Sequence, residues 1–181
     1  ALRRGQAREE VAYYRRRHAT VGTPRPVFEL AFQWLERHLP ETPVADALVH
    51  GDFRNGNILV DEQGLRAILD WEIAHFGDPM EDLGWMCVNS WRYGRELPVG
   101  GFGTREQLFA GYEAAGGTVD PQRVRFWEVF GTLKWGVICE GMAESYQSGD
   151  VRTVERAAVG RRASEAEIDL LVLLQEDCRH A

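Results

Sequence analysis

A polar interruption breaks an apolar stretch at residues 48–60, which read LVHGDFRNGNILV. The six positions from Gly51 to Gly56 hold a single apolar side chain, Phe53, while both flanks have the apolar character of strands. Such a segment is either an unusually polar hairpin or a loop that carries a reaction. A loop between two strands can hold several polar side chains at fixed distances, as a reaction requires.

The composition is that of a soluble globular chain. Hydrophobic residues make up 44% of the 181 positions and charged residues 27%, which suits one domain or one large lobe with its own core. No apolar run approaches the roughly 18 residues of a membrane span, and the N-terminus lacks an apolar signal core. The net charge of −7 disfavours nucleic acid, whose phosphates require basic patches. We therefore expect neither a membrane nor a nucleic-acid partner.

The three cysteines, Cys87, Cys139 and Cys178, are far apart and fit neither a zinc spacing nor a disulfide framework. The expected setting is the reducing cytoplasm. Cys87 and Cys139 lie in apolar helical stretches, and we expect them to be small core residues.

Helical patterns flank a short β-like segment. The predicted helices cover residues 6–18, 26–38, about 104–115, about 121–146 and 151–178, the last as one helix or a pair. The β-like runs are DALVHG, NILV and LRAILD. Thr104 with Gln107 forms a capping-box pattern, and Asp120 before Pro121 is typical of a helix start. No internal domain boundary is indicated.

Three polar elements follow one another around these β-like runs. They are His50-Gly51-Asp52, then Asn57, and then Asp70-Trp71-Glu72 at the end of an apolar run. Phosphoryl transfer requires a carboxylate that orients an attacking hydroxyl, hard oxygen ligands for Mg²⁺, and positive charge near the moving group. Asp52 would be the base, Asn57 and Asp70 the Mg²⁺ ligands, and Arg54 the cation.

The pattern H-G-D-x-x-x-x-N followed by D-W-E resembles the aminoglycoside phosphotransferase and choline kinase-like superfamily, which is related to the protein kinases. The resemblance is specific over residues 48–85 and implies the same roles for Asp52, Asn57 and Asp70. Arg54 stands where serine/threonine protein kinases place a phosphate-contacting Lys. The implied fold is α+β and mainly helical. Residues 1–181 would form a protein-kinase-like C-terminal lobe, with a small β-hairpin element at residues 46–70 carrying the catalytic loop.

The implied function is ATP- and Mg²⁺-dependent transfer of the γ-phosphoryl group to a hydroxyl of a small molecule, whose identity the sequence does not reveal. The alternative is a non-catalytic binding or regulatory module that keeps the scaffold. A kinase of this type also needs an N-terminal lobe with a strand Lys. Lys134 is the single lysine and lies in a helical stretch far downstream. The chain is then either the C-terminal lobe of a longer kinase or a naturally truncated protein. We expect the first, because the predicted catalytic and metal-binding residues are intact, and the absence of an initiating Met agrees with a processed, tagged or excised piece.

Other residues near the motif have competing interpretations. We expect a structural role for His50, although it could be a general base, and a brace of the loop for Asp82. Glu72 is either an exposed structural residue or a contact to the metal shell or substrate. Asp78 before Pro79 predicts a helix cap.

The region after the motif offers further candidates. Trp91 and Tyr93 are either core residues or the lining of a substrate pocket. Glu140 and Glu144 are four apart on a predicted helix, where a solvated face is expected and a pocket for a cation is the alternative. VGGFG at 99–103 is expected to be a plain flexible loop, because it does not fit a nucleotide-binding pattern.

Overall fold

The structure, a computed structural model, describes residues 2–42 and 44–178. Contacts between the described residues define two compact units, one of residues 2–7, 40–42 and 44–128 and one of residues 8–39 and 129–178. The sequence gives no sign of this division, because a helix runs through residue 128 without interruption.

The described residues form five strands and seven α-helices. In chain order these are β1 (Arg4–Gly5), α1 (Ala7–Val21), α2 (Pro26–Arg37), β2 (Ala47–Val49), β3 (Ile58–Asp61), β4 (Gly64–Ile68), β5 (His75–Gly77), α3 (Met80–Cys87), α4 (Arg105–Ala114), α5 (Pro121–Ser148), α6 (Val154–Gly160) and α7 (Ala163–Cys178). The mainly helical prediction is confirmed. No described helix combines the length and the apolar character that a membrane crossing needs.

The strands of the first unit belong to two sheets. One sheet has the order β1-β5-β2, in which β5 pairs in parallel with β1 and antiparallel with β2. The other is the antiparallel hairpin β3-β4, which turns between Asp61 and Gly64. The three predicted β-like runs are confirmed as β2, β3 and β4. The short strands β1 and β5 are not apparent in the sequence, because two or three residues are too few to show an alternating pattern.

Helix α3 of the first unit is buried along nearly its whole length. It begins at Met80, with Pro79 in the capping position, one residue later than the predicted cap at Asp78. The Asp78 carboxylate still accepts the Met80 amide at 3.0 Å, and its other oxygen pairs with Arg123 at 2.9 Å. The predicted capping box of Thr104 and Gln107 is present at the start of α4.

The second unit is helical. The predicted inner face of α2 is confirmed, since Phe28, Ala31, Phe32 and Leu35 are fully buried. Helices α6 and α7 form the predicted pair. Cys139 is buried here and Cys87 in the first unit, as expected, and burial raises the pKa of each thiol to about 12. Both therefore stay protonated and unreactive at neutral pH. The side chain of Cys178 lies outside the described atoms.

The predicted solvated face of α5 is wrong for Glu140, which is buried. Its carboxylate is buried and accepts from Arg25 Nε at 2.6 Å, and His18 Nδ1 lies 2.7 Å from its other oxygen. Arg25 pairs in turn with Glu167 at 2.6 Å. Glu144, by contrast, is exposed as predicted. The i, i+4 spacing could not distinguish the two, because a buried carboxylate needs a cationic partner such as Arg25 from a distant part of the chain, which local spacing does not reveal.

Candidate active site

The loop at residues 50–57 joins strands of two different sheets. It leaves β2 of the three-stranded sheet, closes with a 3₁₀ turn at Asn55–Asn57, and enters β3 of the hairpin. Since β2 and β3 do not pair with each other, the polar stretch is not the turn of a hairpin. The first of the two interpretations of this segment is therefore excluded. The predicted β-hairpin element at residues 46–70 is also corrected, because the hairpin consists of β3 and β4 alone and the polar loop precedes it.

Asp52 is held by three side-chain donors. Oδ1 accepts from Trp85 Nε1 at 2.9 Å, and Oδ2 accepts from Asn57 Nδ2 at 2.8 Å. Arg54 Nε lies 3.1 Å from one oxygen and 3.2 Å from the other. A carboxylate bound from both sides in this way has one fixed orientation, which is what a general base needs.

His50 connects the Asp52 loop to the segment that carries Asp70. Its Nε2 donates to the carbonyl of Leu69 at 2.8 Å, and its Nδ1 accepts the Asp52 amide at 3.1 Å. A carbonyl can only accept and an amide can only donate, so His50 is the neutral tautomer with the proton on Nε2. With both nitrogens occupied, His50 is structural, as expected, and is not a general base.

Asp82 braces the loop from α3, as predicted. Its two carboxylate oxygens accept the amides of His50 at 2.7 Å and Gly51 at 2.9 Å. Burial raises the pKa of Asp82, while these two amides act in the opposite direction.

Gly51 has φ +81, and an added Cβ would lie 3.2 Å from the Ile73 carbonyl, so that glycine is required at this turn.

The side-chain amide of Asn57 is held by Asp52. Its Nδ2 donates to the backbone oxygen of Asp52 at 2.9 Å and to the Asp52 carboxylate at 2.8 Å. These two bonds fix the amide, and its Oδ1 accepts no hydrogen bond from the described residues. The Asn57 carbonyl also accepts the Leu69 amide at 2.8 Å, which brings Asn57 beside the residue that precedes Asp70.

The carboxylate of Asp70, unlike that of Asp52, is exposed and has no bonding partner among the described residues. The backbone of Asp70 has φ +66. A left-handed conformation is tolerated by Asp but remains costly, and such strain is concentrated at functional sites. Asn57 and Asp70 together offer hard oxygen donors, which suit Mg²⁺.

A complete protein cage for a metal is absent from the residues that the structure describes, since no three His, Cys, Asp or Glu side chains converge. Mg²⁺ commonly binds through one or two protein ligands together with substrate phosphates and water. The donor set of Asn57 and Asp70 fits that mode of binding.

The family model described as "Phosphotransferase enzyme family" matches residues 1–127. The chain belongs to the phosphotransferase enzyme family. The resemblance that the motif indicated is thereby confirmed. In sequence, the chain is 37% identical over 82 residues to acyl-CoA dehydrogenase family member 11 of Gallus gallus. This match covers 44% of this chain and 11% of that protein. The matched segment thus spans about a tenth of the length of this curated relative.

Solved structures share the phosphotransferase fold. A provisionally described aminoglycoside phosphotransferase from Ralstonia eutropha superposes with a TM-score of 0.79 at 20% identity, over 97% of this chain and 57% of that one. A thermostable mutant of aminoglycoside phosphotransferase APH(4)-Ia, in a ternary complex with AMP-PNP and hygromycin B, gives a TM-score of 0.52 at 20% identity, over 82% of this chain and 43% of that one. At these identities the likeness shows the fold alone.

Three contacts of this phosphotransferase loop are not evident from the sequence. Trp85 serves as a donor to Asp52, and Trp91 lies under the Arg54 guanidinium at 5.1 Å. Asn55 Nδ2 donates at 3.0 Å to the carbonyls of Trp91 and Gly100, so the VGGFG segment anchors the loop instead of being a plain connection. The sequence signal for these contacts was only the presence of buried aromatic residues after the motif.

The remaining candidate residues from the sequence are either buried or exposed. Trp91 is buried, as expected for the core, whereas Tyr93 is 64% exposed with φ +50. Glu72 is exposed and takes no part in the described contacts around Asp52. Lys134 is buried in α5, in agreement with its predicted helical position, and is not a strand lysine.

Proposed function

We propose that this chain carries the phosphoryl-transfer site of a small-molecule kinase that uses ATP and Mg²⁺ and phosphorylates a hydroxyl group. The contrast between two carboxylates carries the proposal. Asp52 is oriented by three donors, whereas Asp70 is exposed and open. A general base must be oriented, and a metal ligand must have oxygens available.

In the proposed mechanism, Asp52 orients the substrate hydroxyl and accepts its proton as the oxygen attacks the γ-phosphorus. Trp85 and Asn57 hold the carboxylate in place during this step. Asn57 Oδ1 and Asp70 would hold Mg²⁺, which when bound neutralises charge on the phosphates. Arg54 supplies a further positive charge near the moving phosphoryl group.

The clamp on the nucleotide is proposed to come from another part of the protein. Such a kinase needs a strand Lys and a loop over the phosphates, and the single lysine of this chain, Lys134, lies in a helix. The neighbour APH(4)-Ia, which holds AMP-PNP together with hygromycin B, supports a site for a nucleotide and a small molecule. For this chain we propose a small-molecule hydroxyl as the acceptor, without assigning the molecule. The buried free thiols Cys87 and Cys139 suit the proposed cytoplasmic setting.

The test is turnover of the full-length protein in a screen of alcohols coupled to nucleotide consumption. Asp52→Asn should lower turnover on any identified substrate by about 10²- to 10⁴-fold while nucleotide binding survives, because the base is lost and the metal ligands remain. Asp61→Asn, an exposed aspartate in β3, is the matched control and should retain activity.

Normal turnover by Asp52→Asn would show that the assigned base is wrong. Binding of the nucleotide without consumption across the whole screen would instead favour a non-catalytic module.

A further inference from the structure

The position of Arg54 over Asp52 has a consequence for the order of events at the site. Arg54 Nε is shared between the two Asp52 oxygens at 3.1 and 3.2 Å, while Trp85 and Asn57 occupy one oxygen each. Each carboxylate oxygen has about two acceptor positions, so the Asp52 carboxylate is filled by these donors. A substrate hydroxyl has no acceptor position on Asp52 while Arg54 is in this place.

Two further features favour this position of Arg54. The guanidinium lies over the Trp91 ring at 5.1 Å, a favourable contact for a cation. Gly56 leaves the space that the guanidinium fills, because a Cβ added there would lie 2.2 Å from Nη1. The side chain is therefore seated in a defined place on Asp52, Trp91 and Gly56.

The same side chain is accessible to a ligand. Arg54 is 26% exposed and Asp52 is 21% exposed. The terminal nitrogens Nη1 and Nη2 make no hydrogen bond with the described residues, so they remain available to phosphate oxygens. Phosphate accepts two parallel bonds from a guanidinium, whereas Asp52 receives only the Nε–H.

We propose that Arg54 is a phosphate-released latch on the base. In the absence of nucleotide it covers Asp52, and the phosphates of the bound nucleotide draw the guanidinium away, which opens an acceptor position for the substrate hydroxyl. The base then becomes available only when the phosphoryl donor is present. This inference rests on the proposed function, in which Asp52 is the base.

The latch can be tested without any acceptor substrate. In the full-length protein, the ¹⁵N–¹H resonance of Arg54 Nε, assigned by its loss in Arg54→Lys, should shift on saturation with Mg²⁺–AMP-PNP as the bond to Asp52 breaks. Trp91→Phe identifies the indole that lies under Arg54. The tryptophan fluorescence change on nucleotide binding should be lost in this variant and in Arg54→Gln.

Gly56→Ala provides the sharper test, because it displaces the guanidinium without removing it. Without nucleotide, this variant should already lack the Arg54 Nε resonance position and the tryptophan fluorescence of the nucleotide-free wild type, and it should bind Mg²⁺–AMP-PNP a few-fold more tightly. The matched control is Gly111→Ala in α4, where the added Cβ meets nothing within 4 Å. It should behave as the wild type.

An unchanged Nε resonance on nucleotide binding would overturn the latch, since Arg54 would then bridge Asp52 and the phosphate without moving. Wild-type spectra for Gly56→Ala would overturn it as well. Either result is compatible with loss of turnover in Asp52→Asn, so failure of the latch and failure of the proposed function are distinguishable.

Discussion

The indole of Trp85 donates a hydrogen bond of 2.9 Å to Oδ1 of Asp52 across 33 positions of the sequence. Trp85 lies on the buried helix α3, so the proposed base is held from the core of its unit and not only by its own loop. Asp82 on the same helix accepts the two amides that precede Asp52. One helix therefore fixes both the backbone and the carboxylate of the loop.

Replacing Trp85 by Phe should separate this hydrogen bond from packing. Trp85→Phe keeps an aromatic ring in the core but removes the donor, so we expect a lower kcat with little change in KM. The loss of one hydrogen bond should lower the free energy of unfolding by about 1 kcal/mol. Steady-state kinetics on an identified substrate and urea denaturation measure the two effects. An unchanged kcat would mean that Asn57 alone orients Asp52.

Because Asp82 accepts two backbone amides, its replacement by Asn should lower stability more than the same replacement of a surface aspartate. Asn at position 82 can accept only one of the two amides and directs an NH₂ group at the other, so Asp82→Asn should lower the free energy of unfolding by about 1–3 kcal/mol. Asp46→Asn is the matched control, because Asp46 pairs with Arg4 on the surface. It should change stability by less than about 1 kcal/mol. Equal effects of the two variants in urea denaturation would refute the brace.

The sequence indicated the candidate residues Asp52, Asn57 and Asp70 because the loop and the hairpin that follows it are local in sequence. The structure shows the contact between Asp52 and Asn57, and the roles of all three residues stay predictions. Trp85 and Trp91 were visible only as apolar residues, since a contact across more than 30 positions leaves no local pattern. Strand β5 pairs with residues at both 4–5 and 47–49, and such non-local pairing is equally hidden in three residues.

His75 should make stability depend on pH. Its Nδ1 faces the Ile73 carbonyl at 3.1 Å and its Nε2 the Glu81 carboxylate at 3.1 Å, so both nitrogens donate and the ring is cationic. Burial lowers the pKa of His75, but the hydrogen bond and charge of Glu81, with the Ile73 carbonyl, outweigh it and raise the pKa above the ordinary value.

A raised folded-state pKa stabilises the fold fully below the unfolded pKa of about 6.5 and loses that stabilisation as the pH rises through the folded value. The wild type should therefore lose stability relative to His75→Gln as the pH increases from about 6.5 upward. Urea denaturation at a series of pH values measures the difference. Glu81→Gln should reduce the same slope, and a constant difference between wild type and His75→Gln would contradict the assignment of charge.

Glu140 and Glu144 allow a matched comparison within one helix of the second unit. Glu140→Gln leaves the charge of Arg25 beside a buried neutral amide, so it should lower the free energy of unfolding by about 3 kcal/mol. Glu144→Gln, on the exposed turn that follows, should stay within about 0.5 kcal/mol of the wild type. The measurement is urea denaturation followed by circular dichroism.

Because Arg25 retains Glu167 at 2.6 Å, the double variant Glu140→Gln with Glu167→Gln should lose more free energy of unfolding than the sum of the losses in the single variants. Strict additivity would mean that the two carboxylates do not share Arg25 in solution.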